Sequence, residues 1–273
     1  MKKTLSSSHK GIKETSFAIK AILLFSTLAL LWICFFLIPD EHPDYDFFTT
    51  LKELIINLVA SLFIFLYILF FENFKIFKLR IKTKSIIFIF PFLLAVLTNF
   101  PFISLLSEKS KFNSSFLHAI LLFFSTLFVG VFEELAFRGV LFPYTLKKFG
   151  NRRFGVLLSI IISSAFFGAI HIFSLLDGAS LYGAFIKILY SFLTGGMGAI
   201  VFLCTQSIVP SILLHALFNF GGLFVERLCS GYQWTTAAII VSAVITIPVS
   251  VWALTKSASF SLKDAEFILS TEE

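Results

Sequence analysis

The stretch VGVFEELAFRGVLF, residues 129–142, sets two adjacent glutamates and an arginine inside an otherwise apolar run. A charged side chain at the centre of a membrane-spanning helix costs roughly 2.5–3.5 kcal/mol on insertion scales, so three within six residues require a reason. On a helix, Glu134 and Arg138 stand at i,i+4, on one face and within pairing reach. Glu133 points about 100° away, free of that partner. One carboxylate neutralised by arginine and one left free suggest a structural group beside a chemical one. A second reading stays open, in which the segment is an interfacial helix end with Arg138 snorkelling to the headgroups.

Outward from this stretch, the chain reads as a protein whose solvent is the bilayer. Of its 273 residues, 58% are hydrophobic, 14% are charged and 38 are Phe. Mean hydropathy is +0.94, far above what a water-exposed surface allows. The apolar residues gather into runs near the length that crosses a hydrocarbon core of about 30 Å. The predicted fold is all-α: a polytopic membrane bundle of about eight transmembrane helices, near 17–38, 51–71, 85–106, 116–142, 155–174, 182–204, 208–226 and 234–254. The first run, Phe17 to Ile38, exceeds a signal-peptide core and reads as a span. Four regions follow: a tail at 1–16, three helices over 17–115, five helices over 116–254, and a polar tail at 255–273.

Net charge is +6, but the cations sit between the apolar runs and act as topology determinants, so no nucleic-acid partner is implied. Lysines crowd the N-terminal tail, and basic sets fall at residues 75–84 and 138–153. The first connection, PDEHPDYD at 39–46, is acidic. The bias places both termini in the cytoplasm of a multi-pass protein of the cell (inner) membrane. Cys34, Cys204 and Cys229 form no CxxC, which supports neither a disulfide framework nor a cysteine metal site.

Two other runs carry polar residues at helical spacing. AFFGAIH, residues 165–171, sets His171 one turn after Phe167, with Gly168 allowing close helix approach. SILLHALFNF, residues 211–220, sets His215 and Asn219 at i,i+4 on one face. Taken singly, His171 reads as a packing histidine and the His215/Asn219 pair as interhelical glue. Taken together, three helices with expensive polar residues are most cheaply held around one partly hydrated cavity. His9, His42 and His118 receive no role.

A free glutamate beside a histidine can activate water, and a second histidine with an asparagine one turn on can donate to a developing oxyanion. These are parts for hydrolysing an amide bond without a covalent nucleophile, and no G-x-S-x-G occurs. No cofactor is expected. The alternative is a divalent metal such as zinc on Glu133, His171 and His215, although the chain has no HExxH.

The three motifs resemble those of the CPBP family (CAAX proteases and bacteriocin-processing enzymes, also called Abi). EExxxR reads Glu133-Glu134-Leu-Ala-Phe-Arg138, FxxxH reads Phe167-Gly-Ala-Ile-His171, and HxxxN reads His215-Ala-Leu-Phe-Asn219. They occur in family order, with no departure at any motif residue, over about 121–225. The resemblance implies an intramembrane endopeptidase in which Glu133 and His171 activate water. It implies His215 and Asn219 as oxyanion donors, with Glu134 and Arg138 shaping the site. Relatives act on prenylated CAAX proteins, are called metalloproteases, or are linked to bacteriocin self-immunity. The expected partners are the bilayer and a membrane-associated peptide or protein, C-terminally lipidated in the CAAX case. Two rivals remain: a non-catalytic immunity or scaffold protein, and a transporter using the Glu/His set as a proton relay. One geometric condition applies. Were the EELAFR helix to end at Phe137, Glu133 and His171 would differ in depth by about 15 Å at ~1.5 Å per residue. Continuing it to about Phe142 brings them together.

Overall fold

The computed structural model describes residues 45–72, 74–80, 83–176, 178–231 and 236–269. The span expected at 17–38 lies outside the described residues. Among those described, seven helices are long and apolar enough to cross a membrane: Asp46–Phe70, Ile86–Leu106, Phe116–Phe149, Gly155–Leu175, Leu181–Thr205, Val209–Leu228 and Ile240–Ser259. Each coincides with an apolar run read from the sequence, so the all-α polytopic bundle stands. Large apolar side chains on the outside remain exposed, among them Leu62, Phe70, Phe116 and Leu181, as lipid-facing surfaces require.

Helix α1 spans Tyr45–Phe71, and α2 (Phe90–Asn99) follows a 3-10 turn at Thr83–Phe88. The short α3 (Phe102–Leu106) leads into strand β1 (Ser110–Phe112). Helix α4 (Phe116–Glu134) starts where Ser115 accepts a hydrogen bond from the His118 backbone N–H. It runs through a π-helical segment, Leu135–Leu141, into α5 (Phe142–Phe149) without a break. This satisfies the depth condition, with Glu133 near the middle of a 34-residue span. Within the π segment Gly139 faces α1: a Cβ there would stand 2.9 Å from Ile68 Cδ1.

Helix α6 (Gly155–Ala169) turns back sharply and ends in a 3-10 segment, Ile170–Leu175. Gly155 makes that turn feasible, because any Cβ would run into the carbonyls of Phe149 and Gly150. Helix α7 (Leu181–Thr205), capped by Ser180, is the central element, with every residue from Thr194 to Thr205 buried. Gly195 lets the α6 backbone approach at Ser164, while Gly196 and Gly198 leave room for the side chains of Leu254 and Arg138. Helix α8 (Val209–Leu228) begins with a proline in its first turn, and strand β2 (Cys229–Gly231) follows it. Strands β1 and β2 pair antiparallel, Ser110 opposite Gly231, in a small sheet no apolar run announces.

Helix α9 (Thr236–Lys256) completes the bundle, and α10 (Leu262–Leu269) folds back onto it. The sequence reads the segment after Thr255 as a polar extension. Instead, Ser261 and Asp264 cap α10, and its Ala265 and Ile268 are buried beside Leu146 and Phe202. Three residues apart, those two occupy one helix face, a pattern too short to stand out from the polar residues around it.

Candidate active site

The three motifs converge. Glu133 and Glu134 close α4, Arg138 lies in the π segment, Phe167 and His171 sit at the end of α6, and buried His215 and partly buried Asn219 stand one turn apart on α8. Close approach of α4 and α8 makes this geometry feasible. A Cβ on Gly130 would stand 3.1 Å from the Ile212 carbonyl oxygen and 3.3 Å from Ala216 N.

Glu134 is the anchor. Arg138 Nη1 stands 3.1 Å from its Oε1, with both side chains 1% exposed, so the expected pair forms. His215 Nδ1 lies 2.9 Å from the same oxygen. Ser211 Oγ donates to Oε2 at 2.7 Å. Ser211, His215 and Asn219 follow one another at i,i+4 on the inner face of α8. The sequence carried the signal for Ser211, a hydroxyl in register with the histidine, but one serine in a span attracts no notice.

Arg138 is held on three sides. Its Nη2 donates to the Gly195 carbonyl at 2.8 Å, and its guanidinium carbon lies 4.7 Å from the Phe167 ring centroid. Nη1 is near enough to Glu134 for an ion pair but not aligned for a hydrogen bond, and Nε makes none among the described residues. The aromatic face therefore takes the place of solvent over much of the cation. Phe167 also meets both histidines edge-on, with centroids 5.2 Å from His171 and 5.7 Å from His215. The ring that the sequence reads as motif spacing is the packing centre of the site.

Glu133 is not free. Its Oε2 lies 3.2 Å from His215 Nε2, so the imidazole bridges the two adjacent glutamates. Both ring nitrogens face carboxyl oxygens, and the two contacts need two protons. A doubly protonated ring between two carboxylates supplies them, as does a neutral ring with one protonated carboxyl. In either form Glu133, Glu134, His215 and Arg138 sum to zero charge. Glu133 thus has one oxygen held and one left for another partner.

His171 is half-buried, and its Nδ1 lies 2.9 Å from the Phe167 carbonyl oxygen. A carbonyl only accepts, so Nδ1 carries the proton and Nε2 of the neutral ring keeps its lone pair. The His171 ring lies within electrostatic reach of Glu133. Asn219, partly buried, makes no side-chain hydrogen bond among the described residues. Two residues on α7 escape sequence reading: Tyr190, whose ring lies 6.1 Å from that of Phe218 and whose hydroxyl feels Glu133, and Lys187, discussed below.

The residues do not fit a metal centre on Glu133, His171 and His215. Both His215 nitrogens already face carboxylates, and among the described residues no three His, Cys, Asp or Glu side chains are placed to ligate one ion.

Residues 114–221, which contain every residue of the three motifs, match the family of type II CAAX prenyl endopeptidase Rce1-like proteins. No curated protein and no solved structure matches the chain.

Proposed function

From the match of residues 114–221 to an intramembrane endopeptidase family, we propose that this chain hydrolyses a peptide bond of a membrane-associated substrate with water activated by Glu133 and His171. The observation that carries the reading is the pair of open acceptors: one oxygen of Glu133, and Nε2 of a His171 whose other nitrogen is committed to the Phe167 carbonyl. A water between them loses a proton as it attacks the scissile carbonyl, and the same groups return that proton to the leaving amine. Asn219 donates to the developing oxyanion. The step starts from an ionised Glu133 with a proton on His215 Nε2; once Glu133 takes up the proton from water, it binds that N–H less strongly. That N–H then joins Asn219, one turn on. Glu134, Ser211 and Arg138 hold His215 in place and do not touch substrate. The lipidated C-terminal segment of a CAAX-type protein suits a site enclosed by membrane helices. The distribution of cations favours cytoplasmic termini in a cell membrane.

The test is hydrolysis of quenched fluorescent peptides, farnesylated ones included, by detergent-purified protein with and without chelator. Wild-type turnover should survive chelation, and Glu133→Gln and His171→Ala should each lose about 10²–10⁴-fold. Turnover abolished by chelation would transfer the reading to a metal. Equal turnover by Glu133→Gln, or none by wild type, would favour the non-catalytic immunity or scaffold role.

A further inference from the structure

Helix α7 carries a cation for which the site above has no use. Lys187 lies in the span Leu181–Thr205, is partly buried, and makes no hydrogen bond or ion pair among the described residues. Lysine within a span is expensive, and where it is found it commonly marks a substrate path or a partner.

Packing of α6 against α7 fixes which part of the site Lys187 faces. The two run antiparallel and pack tightly at Gly168, where a Cβ would stand 2.8 Å from the Ile188 carbonyl oxygen and 3.3 Å from Phe192. One turn beyond Gly168 on α6, His171 therefore comes level with the turn of α7 that holds Lys187. Three residues after buried Ala184 and four before buried Ser191, Lys187 lies on the inward stripe of α7, and its ammonium is within electrostatic reach of the His171 ring. Tyr190, at i,i+3 from Lys187, extends the same face toward Glu133. Glu133 does not neutralise Lys187, because the Glu133–Glu134–His215–Arg138 set is already balanced. Beside the open nitrogen of His171, then, stands one unmatched positive charge.

We infer that Lys187 receives the free C-terminal carboxylate of the peptide substrate, making it a specificity residue that selects chain ends over internal segments. This rests on the endopeptidase reading above. A carboxylate is the anion that every unblocked peptide end brings into an apolar cavity, and pairing there replaces the hydration both charges lose.

The experiment compares peptides of one sequence with a free-acid or an amidated C-terminus, cleaved by wild type, Lys187→Gln and Lys187→Arg. Wild type should prefer the acid by about tenfold or more in kcat/KM, chiefly through KM. Lys187→Gln should reduce that ratio to about one, and Lys187→Arg should keep most of it. Equal cleavage of acid and amide by wild type overturns the inference. So does a Lys187→Gln defect of equal size on both peptides, as expected of a lysine that only reaches lipid headgroups. A binding arm separates this inference from the function it rests on: fluorescent acid and amide peptides are titrated onto Glu133→Gln, alone and combined with Lys187→Gln. Acid-selective binding that disappears with Lys187 supports the anchor even if no peptide is turned over, and binding blind to the terminus refutes it.

Discussion

Glu134 and Ser211 are 77 residues apart in the chain and 2.7 Å apart in space, the serine hydroxyl donating to Oε2. The bond ties α4 to α8 and leaves Oε1 to Arg138 and His215. A buried carboxylate stripped of that donor keeps its ion pair with Arg138 and its contact with His215, so the loss is graded. Interhelical hydrogen bonds in membranes average ~0.6 kcal/mol and reach about 1.7. Hydrogen bonds to charged groups lie at the upper end. Ser211→Ala should therefore cost about 1–1.5 kcal/mol in the reversible unfolding of detergent-solubilised protein, and Ser211→Thr less. Unchanged stability in Ser211→Ala would show that Glu134 gains nothing from the hydroxyl.

Arg138 separates charge from shape. Lysine keeps the charge but lacks the planar fork that reaches Glu134 and the Gly195 carbonyl while lying on Phe167. Arg138→Lys should lose about 2 kcal/mol or more. Arg138→Met should lose about 3–5, because it leaves a buried carboxylate without its cation. Thermal unfolding ranks the two, and a lysine variant as stable as wild type would mean that charge alone suffices.

Two glycines of α7 form the slot for that guanidinium. A Cβ on Gly198 would stand 2.9 Å from Ser211 Oγ and 3.1 Å from Arg138 Nη2, and one on Gly195 would stand 3.0 Å from Phe167 Cδ1. Gly198→Ala should displace two groups that position Glu134. Peptide hydrolysis should fall at least about tenfold, with a loss of ~1–3 kcal/mol from overpacking. Gly183→Ala, near the N-terminus of the same helix, meets only the Ser180 hydroxyl at 3.2 Å and serves as the comparison. Equal activity of the two variants would remove the slot from the argument.

Much of this was readable from residues alone, and the remainder has a common physical origin. Apolar runs place the spans because length and hydropathy are local properties, and i,i+4 spacing pairs Glu134 with Arg138 because both lie on one helix. Contacts between helices depend on rotation and approach, which local pattern does not encode. A divergence of about 100° makes Glu133 look free of partners. The imidazole of His215 nevertheless bridges both carboxylates because Gly130 lets α8 come close. The close fit of Gly139 against Ile68 likewise depends on a residue of another helix. Lys187 differs: a lone lysine inside an apolar run is visible in the sequence, yet its meaning depends on its proximity to His171.

Phe167 provides the last prediction. Its face carries the Arg138 guanidinium at 4.7 Å, two histidine rings pack against it in T-shaped fashion, and its backbone carbonyl accepts from His171. Phe167→Leu leaves the carbonyl and much of the apolar volume but removes the π face, so it isolates the ring's electronic part. Cation–π contact with a desolvated cation contributes about 2 kcal/mol, and the edge contacts add ~0.5–1.5 each at most. The variant should unfold about 2–3 kcal/mol more easily and hydrolyse peptide more slowly, with kcat falling more than KM rises, since no group that meets substrate has been removed. Phe167→Trp keeps a π face but overfills a buried position, so it should recover the arginine contact at the cost of strain. If Phe167→Leu matched wild type in both stability and turnover, the ring would be volume alone, and Arg138 would have to be held by Glu134 and Gly195 without it.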